Sequence, residues 1–201
     1  MAEKKESLNV IDIEYNTKEI VADELRSLPE EFAILVVVSQ KNYENTVLAF
    51  AGILLNEKKL FGTYITTNKP FRKIMDKFLQ KGIKADNLFF IDCITKEQIE
   101  NGNFKEGIKV FSSENVNEIN VVLDRAIKSR KQGGEFILLD AISTLLVYND
   151  EKTVEKFIHS LLERIYRWKT KGIFLTVETQ SNRQTIENLS LFFDRVIRII
   201  E

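Results

Sequence analysis

The chain has 201 residues, of which 30 are acidic and 29 are Lys or Arg, so its formal net charge is -1. This balance argues against a surface dedicated to nucleic acid, and a hydrophobic content of 44% is that of a folded globular protein. Neither a signal-peptide pattern nor an apolar run of about 20 residues follows the charged start of the chain, so we expect a cytoplasmic protein.

Short apolar runs alternate along the chain with longer segments of helical periodicity. A first helix is predicted over 17–28, and Pro70 and Gly82 mark the start and the end of a later one. Strands are predicted at 32–39, 60–66, 88–92, 136–140, 172–177 and 195–200. The helices between them are predicted at 43–56, 70–81, 116–131, 153–171 and 182–192.

This alternation predicts an α/β fold, a three-layer αβα sandwich whose central sheet is mostly parallel. The strands are rich in Val, Ile, Leu and Phe without strict alternation, which is typical of strands covered on both faces. Ligands meet such sheets at the carboxyl ends of the strands. Polar residues follow the strands there at 39–46, 66–69, 92–95, 140–144 and 178–182. The single cysteine, Cys93, excludes a disulfide framework and a Cys-x-x-Cys metal site.

The first strand runs into a polar turn and an apolar helix, which is the layout of a phosphate-binding loop. Residues 39–46, SQKNYENT, occupy the slots of the motif G-x-x-x-x-G-K-[ST], but only Thr46 matches it. No glycine lies between Phe32 and Gly52, although glycines let a phosphate loop approach its anion closely. Tyr43 and Glu44 instead add a bulky ring and a negative charge. Taken alone, the segment is either a phosphate loop that has lost its chemistry or an ordinary βα turn.

Several segments resemble, in order and spacing, the RecA-type ATPase fold and its KaiC-like branch, which is common in archaea. Residues 62–83, GTYITTNKPFRKIMDKFLQKGI, carry a strand, a polar stretch and a helix that ends in a similar turn. NLFFIDCIT at 87–95 is similar to a strand with an Ile-Asp pair, and FILLDAISTLL at 136–146 resembles the Walker B strand. GIFLTVETQ at 172–180 and FFDRVIRII at 192–200 resemble the sensor strand and the final strand.

The resemblance implies a single domain over 1–201 with a RecA-like P-loop NTPase fold, whose core covers about 32–201. Residues 1–31 would form an N-terminal extension that contains the first predicted helix. The chain departs from the family where chemistry is expected. Asn45 stands at the position of the phosphate-loop lysine, and Asn68 and Lys69 stand where the family has two acidic residues that polarise the attacking water. Losing both parts should abolish efficient hydrolysis.

Three residues remain as candidates for binding ATP and magnesium. Asp140, in the Walker B position, could hold magnesium through water, or it could bond to the backbone of its own turn. Lys41 is the only cation in the loop interior that could replace the missing lysine, and Thr46 keeps the magnesium-hydroxyl position. Asp92 and Glu178 also end strands, where their carboxylates would repel a triphosphate.

The leading hypothesis is a degenerate, non-catalytic domain, a pseudo-ATPase without cofactor or catalytic residues. It would act as a scaffold or regulatory partner by associating side by side with a paralogous ATPase or with a second copy of the chain. The alternative is a divergent ATP-binding protein or ATPase that uses Lys41, Thr46 and Asp140 with magnesium. A third hypothesis, a nucleic-acid-binding relative of the recombinases, is disfavoured by the near-neutral charge.

Overall fold

The structure, a computed structural model, describes residues 10–95, 109–112, 116–128 and 135–200. The strands in these ranges are β1 (Phe32–Val38), β2 (Gly62–Thr66), β3 (Leu88–Asp92), β4 (Lys109–Ser112), β5 (Phe136–Asp140), β6 (Lys171–Val177) and β7 (Arg195–Ile199). The α-helices there are α1 (Val10–Ser27), α2 (Tyr43–Gly52), α3 (Phe71–Gln80), α4 (Val116–Lys128), α5 (Ile142–Tyr148), α6 (Glu151–Trp168) and α7 (Arg183–Ser190). A π-helical turn at Ile53–Glu57 continues α2.

The seven strands of the described ranges form one sheet in the order β4-β3-β2-β5-β6-β1-β7, and every neighbouring pair is parallel. Two apolar cores flank this sheet. One core packs the sheet against α1, α2 and α3, and the other packs it against α4, α5, α6 and α7. The predicted three-layer αβα sandwich with a parallel sheet is therefore confirmed. None of the helices in the described part of the chain combines the length and apolarity of a membrane span.

Some elements differ from the sequence-based prediction. Helix α1 begins at Val10 rather than at residue 17, and the predicted helix 43–56 is divided into α2 and the π-helical turn. Strand β4 and helix α5 were not predicted, because they contain only 4 and 7 residues and are too short to establish a periodicity. The predicted end of the helix 116–131 lies beyond the described residues.

The strand register sets how the carboxyl ends line up. Thr66 is opposite both Asp92 and Asp140, so these residues lie at one level of the sheet. Leu175 of β6 is opposite both Asp140 and Val36. Asp140 therefore lies level with Val36, two residues before the end of β1. At the usual rise of a strand, this places Asp140 about 7 Å below the carboxyl end of β1.

Gly62 lies where β2 meets the aromatic core. A Cβ atom at this position would lie 2.1 Å from the Phe136 ring, so a larger residue would displace that buried side chain. We expect Gly62→Ala to lower the free energy of unfolding in urea by about 1–3 kcal/mol through overpacking.

Gly52, the last residue of α2, is the matched control. The nearest atom to a Cβ there would be 3.9 Å away, in the Ile83 side chain, so Gly52→Ala should leave stability unchanged or raise it by up to about 1 kcal/mol. Equal destabilisation by both substitutions would contradict the packing at Gly62.

Candidate functional site

The corner between β1 and α2 is a turn of residues 39–42 whose polar groups bond within the chain. The Ser39 N–H donates to the Ile199 carbonyl (3.1 Å), and the Asn42 N–H donates to the Ser39 carbonyl (3.1 Å). The Asn42 carbonyl in turn accepts the N–H of Thr46 (2.9 Å) and its hydroxyl (2.8 Å). Helix α2 thus begins directly after a short turn.

Tyr43 and Glu44, the first residues of α2, close this corner against the loop after β2. Tyr43 is 8% exposed, and its hydroxyl accepts a hydrogen bond from the Asn68 side chain (3.1 Å). Glu44 pairs with Lys77 of α3 (2.8 Å) and with Lys69 (3.2 Å). Lys77 and then Lys69 hold the pKa of Glu44 below its ordinary value. Asn68 and Lys69, the positions for which the resemblance implies acidic residues, thus bond to Tyr43 and Glu44.

Asp140, at the end of β5, is buried beneath α2 and α3. Its Oδ2 atom accepts a hydrogen bond from the Tyr64 hydroxyl, and its Oδ1 atom has no partner among the described residues. Burial raises the pKa of Asp140 to about 7 and also raises that of Tyr64. A small cavity of about 30 Å³ reaches Asp140, and its lining also includes Lys69, Lys73 and Lys77.

The three predicted binding residues do not share this cavity. Lys41 is exposed on the turn, and Thr46 is fully buried in α2 with its hydroxyl bonded to Asn42. Neither of them lines the cavity that reaches Asp140. In the described residues, no group of three or more His, Cys, Asp or Glu is arranged to hold a metal ion.

Asp92 and Glu178, two further acidic residues at strand ends, bond to neighbouring groups of the chain. Asp92 accepts backbone hydrogen bonds from Phe71 (2.9 Å), Ile94 (2.8 Å) and Thr95 (3.0 Å). The bond from Phe71 joins β3 to the start of α3, and the other two hold the turn after β3. Glu178 pairs with Arg198 of β7 (3.0 Å) across the end of the sheet.

A groove of about 820 Å³ opens at the carboxyl edge of the sheet. The first turn of α2 and residues 68–69 form one side, while α5, the start of α6 and the loop from β6 to α7 form the other. Asn182 shapes this loop, because its side chain accepts from the Thr179 N–H (2.8 Å) and donates to the Val177 carbonyl (3.0 Å). Two exposed apolar residues of α5, Val147 and Tyr148, also line the groove.

Comparison with known proteins agrees with this architecture. A family model described as a family of unknown function, DUF7504, matches residues 59–199. The chain belongs to this family. No curated protein matches the sequence.

Among solved structures, the KaiC-like protein PH0186 from the hyperthermophilic archaeon Pyrococcus horikoshii OT3 is similar to this DUF7504 chain. The TM-score is 0.58 at 14% sequence identity, and the match covers 86% of this chain and 73% of the other. At this identity the likeness establishes the KaiC/RecA-like fold alone. The expected fold is thus confirmed, and the DUF7504 match begins after the corner between β1 and α2.

Sequence reasoning missed several residues of the site, although signals for some of them exist. Tyr64 lies opposite Leu138, so Tyr64 and Asp140 share one face of neighbouring strands. That relation requires knowing that β2 and β5 are adjacent. Glu44 and Lys69 both follow strand ends and could have been paired on that ground. The Tyr148 contribution to the groove depends on α5, which the sequence pattern did not predict.

Asp140 should make stability depend on pH. Since its pKa in the folded protein (about 7) lies above its ordinary value of 3.8, the folded state binds this proton more tightly than the unfolded chain does. The stabilisation is complete below the ordinary pKa and is lost as the pH rises through the folded pKa. It amounts to a few kcal/mol, on the order of 1.4 kcal/mol for each unit of pKa difference.

We therefore expect urea unfolding of the unsubstituted protein to show a loss of stability across this pH window, relative to Asp140→Asn. The amide does not titrate, but it can still accept the Tyr64 hydrogen bond. If both proteins follow the same pH dependence, Asp140 does not titrate in this way.

Proposed function

We propose that this protein is a non-catalytic RecA/KaiC-like domain, a pseudo-ATPase that acts as a scaffold or regulatory partner in the cytoplasm. It would work by side-by-side association with a paralogous ATPase or a second copy of the chain. The observation that supports this proposal most is the closed corner between β1 and α2. Tyr43 covers it, and the hydroxyl of Thr46 is already bonded to the Asn42 carbonyl.

A phosphate loop binds its anion by directing several backbone N–H groups and the positive end of a helix into one concavity. Here the N–H groups of Ser39 and Asn42 bond to carbonyls of the chain. Glu44 places a carboxylate in the first turn of α2, where it interacts favourably with the helix dipole and competes with a phosphate. These contacts support the interpretation of residues 39–46 as a degenerate Walker A segment.

The residues expected to activate water are also engaged. Asn68 bonds to Tyr43, and Lys69 pairs with Glu44. An amide is not a useful general base, and an ammonium has the wrong charge to polarise an attacking water. Asp140 lies buried against Tyr64 rather than open to the groove. The phosphate-loop residues and the acidic pair are both missing, at two separate places in the chain. This favours an active site that has lost its activity over variation within a single motif.

The surface proposed for association is strand β7, which lies at an edge of the sheet formed by the described strands. An edge strand leaves backbone groups available for a neighbouring chain. Three exposed apolar residues lie close to β7 in the sequence: Leu191 (83% exposed), Phe192 (42%) and Ile200 (49%). Exposed apolar side chains near one strand favour a protein contact there.

Titration calorimetry with ATP and magnesium tests the absence of nucleotide binding. We expect no saturable heat up to about 1 mM ATP, because the Ser39 and Asn42 N–H groups bond within the chain and Glu44 places a negative charge in the first turn of α2. Magnesium-dependent binding would contradict the proposal and favour the alternative. In that case, Lys41→Ala and Asp140→Ala should each abolish the heat, while Lys152→Ala on the outer side of α6 should not.

Association of copies is tested by light scattering after size-exclusion chromatography over a range of protein concentrations. We expect a mass above that of the monomer, and we expect Leu191→Ser with Phe192→Ser to return it to the monomer by removing apolar contact area. Val121→Ser, on the exposed face of α4, is the control. If the measured mass never exceeds that of the monomer, copies of this chain do not associate. The proposed partner would then be a different protein.

A further inference from the structure

We infer that the groove at the carboxyl edge binds an uncharged ligand that carries a ring and several hydroxyl groups, the chemistry shared by nucleosides and saccharides. The strand order supports this location. The helices that follow β1 and β2 cover one face of the sheet, and those that follow β5 and β6 cover the other. Because β1 neighbours β6 and β2 neighbours β5, the chain diverges to opposite faces here and leaves a crevice.

The size and the lining of the groove suit a small polar molecule. Its volume of about 820 Å³ lies within the range of ligand pockets. Neutral hydrogen-bonding side chains come from the turn after β1, from α5 and from the loop between β6 and α7, among them Gln40, Ser143, Thr144, Thr179 and Ser181. Hydroxyl and amide groups both donate and accept hydrogen bonds, so they match the hydroxyl groups of a sugar ring.

The charges of the residues that line the groove disfavour an anionic ligand. The charged residues that line the groove are Glu44, Lys69 and Glu151. Lys69 is paired with Glu44 (3.2 Å), and Glu151 accepts a hydrogen bond from Thr185 (2.8 Å). A phosphate in the groove would face two carboxylates and one cation that is already paired. A molecule without charge avoids this repulsion and the cost of desolvating an ion.

An exposed aromatic ring supplies a surface for stacking. Tyr148, at the end of α5, is 79% exposed, and the neighbouring Val147 is 73% exposed. Both residues line the groove. A flat base or the apolar face of a sugar could stack on such a ring while its polar edge bonds to the hydroxyl and amide groups of the lining.

This inference goes beyond the proposed association and does not depend on it, although both assume that a triphosphate is not held at the corner. The test uses the complete chain labelled with ¹⁵N and titrated with adenosine, uridine or maltose up to about 10 mM. We expect saturable shifts at the amides of Thr144, Thr179 and Ser181 with at least one probe. Adenosine and uridine report recognition of a base, whereas maltose reports recognition of a sugar.

Substitutions of Tyr148 test the stacking surface. Tyr148→Ala should weaken binding of the active probe about tenfold or more, while Tyr148→Phe, which keeps the ring, should stay within about twofold of the unsubstituted protein. Leu79→Ala, at a similarly exposed residue of α3 (81% exposed) outside the groove lining, should not change the affinity. Because Tyr148 is exposed, its replacement is not expected to unfold the protein.

The outcomes separate this inference from the proposed function. The inference is overturned if no probe saturates, if the shifts lie outside the groove, or if Tyr148→Ala binds the probe with unchanged affinity. The proposal that the protein does not bind ATP would still stand. If ATP with magnesium binds more tightly than adenosine, both the preference for an uncharged ligand and the proposed function are overturned.

Discussion

The first turn of α2 packs against the loop after β2, and this contact shapes the whole carboxyl edge of the sheet. Two kinds of interaction hold it. The ion pairs of Glu44 join side chains that are 41–46% exposed, and such pairs contribute about 0–1 kcal/mol each. Burial of the Tyr43 ring, which is 8% exposed, contributes on the order of 2 kcal/mol. Aromatic burial therefore holds the corner closed more than the ion pairs do.

With this corner closed, the groove beside it offers an accessible polar surface at the same edge. The groove runs between the first turn of α2 on one side and α5 with the β6–α7 loop on the other. The side chains that line it are mainly neutral, whereas Asp140 lies deeper, below α2 and α3. The edge thus separates a buried carboxyl group, whose pKa is raised, from an open surface suited to hydrogen bonding.

The fold determines where the carboxyl ends of the strands meet, but it does not determine which side chains lie there. A parallel sheet between helical layers brings the strand ends together in many unrelated proteins, and function depends on the residues grafted there. The likeness to a solved KaiC-like protein agrees with the architecture, whereas the DUF7504 match gives the family but no function. The proposed loss of ATP hydrolysis rests above all on Tyr43 and Glu44 at the corner.

The sequence by itself determined six of the seven strands in the described part of the chain, most helices there and the parallel three-layer class, because long apolar runs and amphipathic periods are local properties of the chain. It also located Asp140 and the turn after β1 at strand ends. Only the tertiary structure decided that Tyr64 donates to Asp140, that Glu44 bridges Lys69 and Lys77, and that α5 lines a groove. These contacts join residues far apart in the chain, and they depend on strand order and register, which no local pattern encodes.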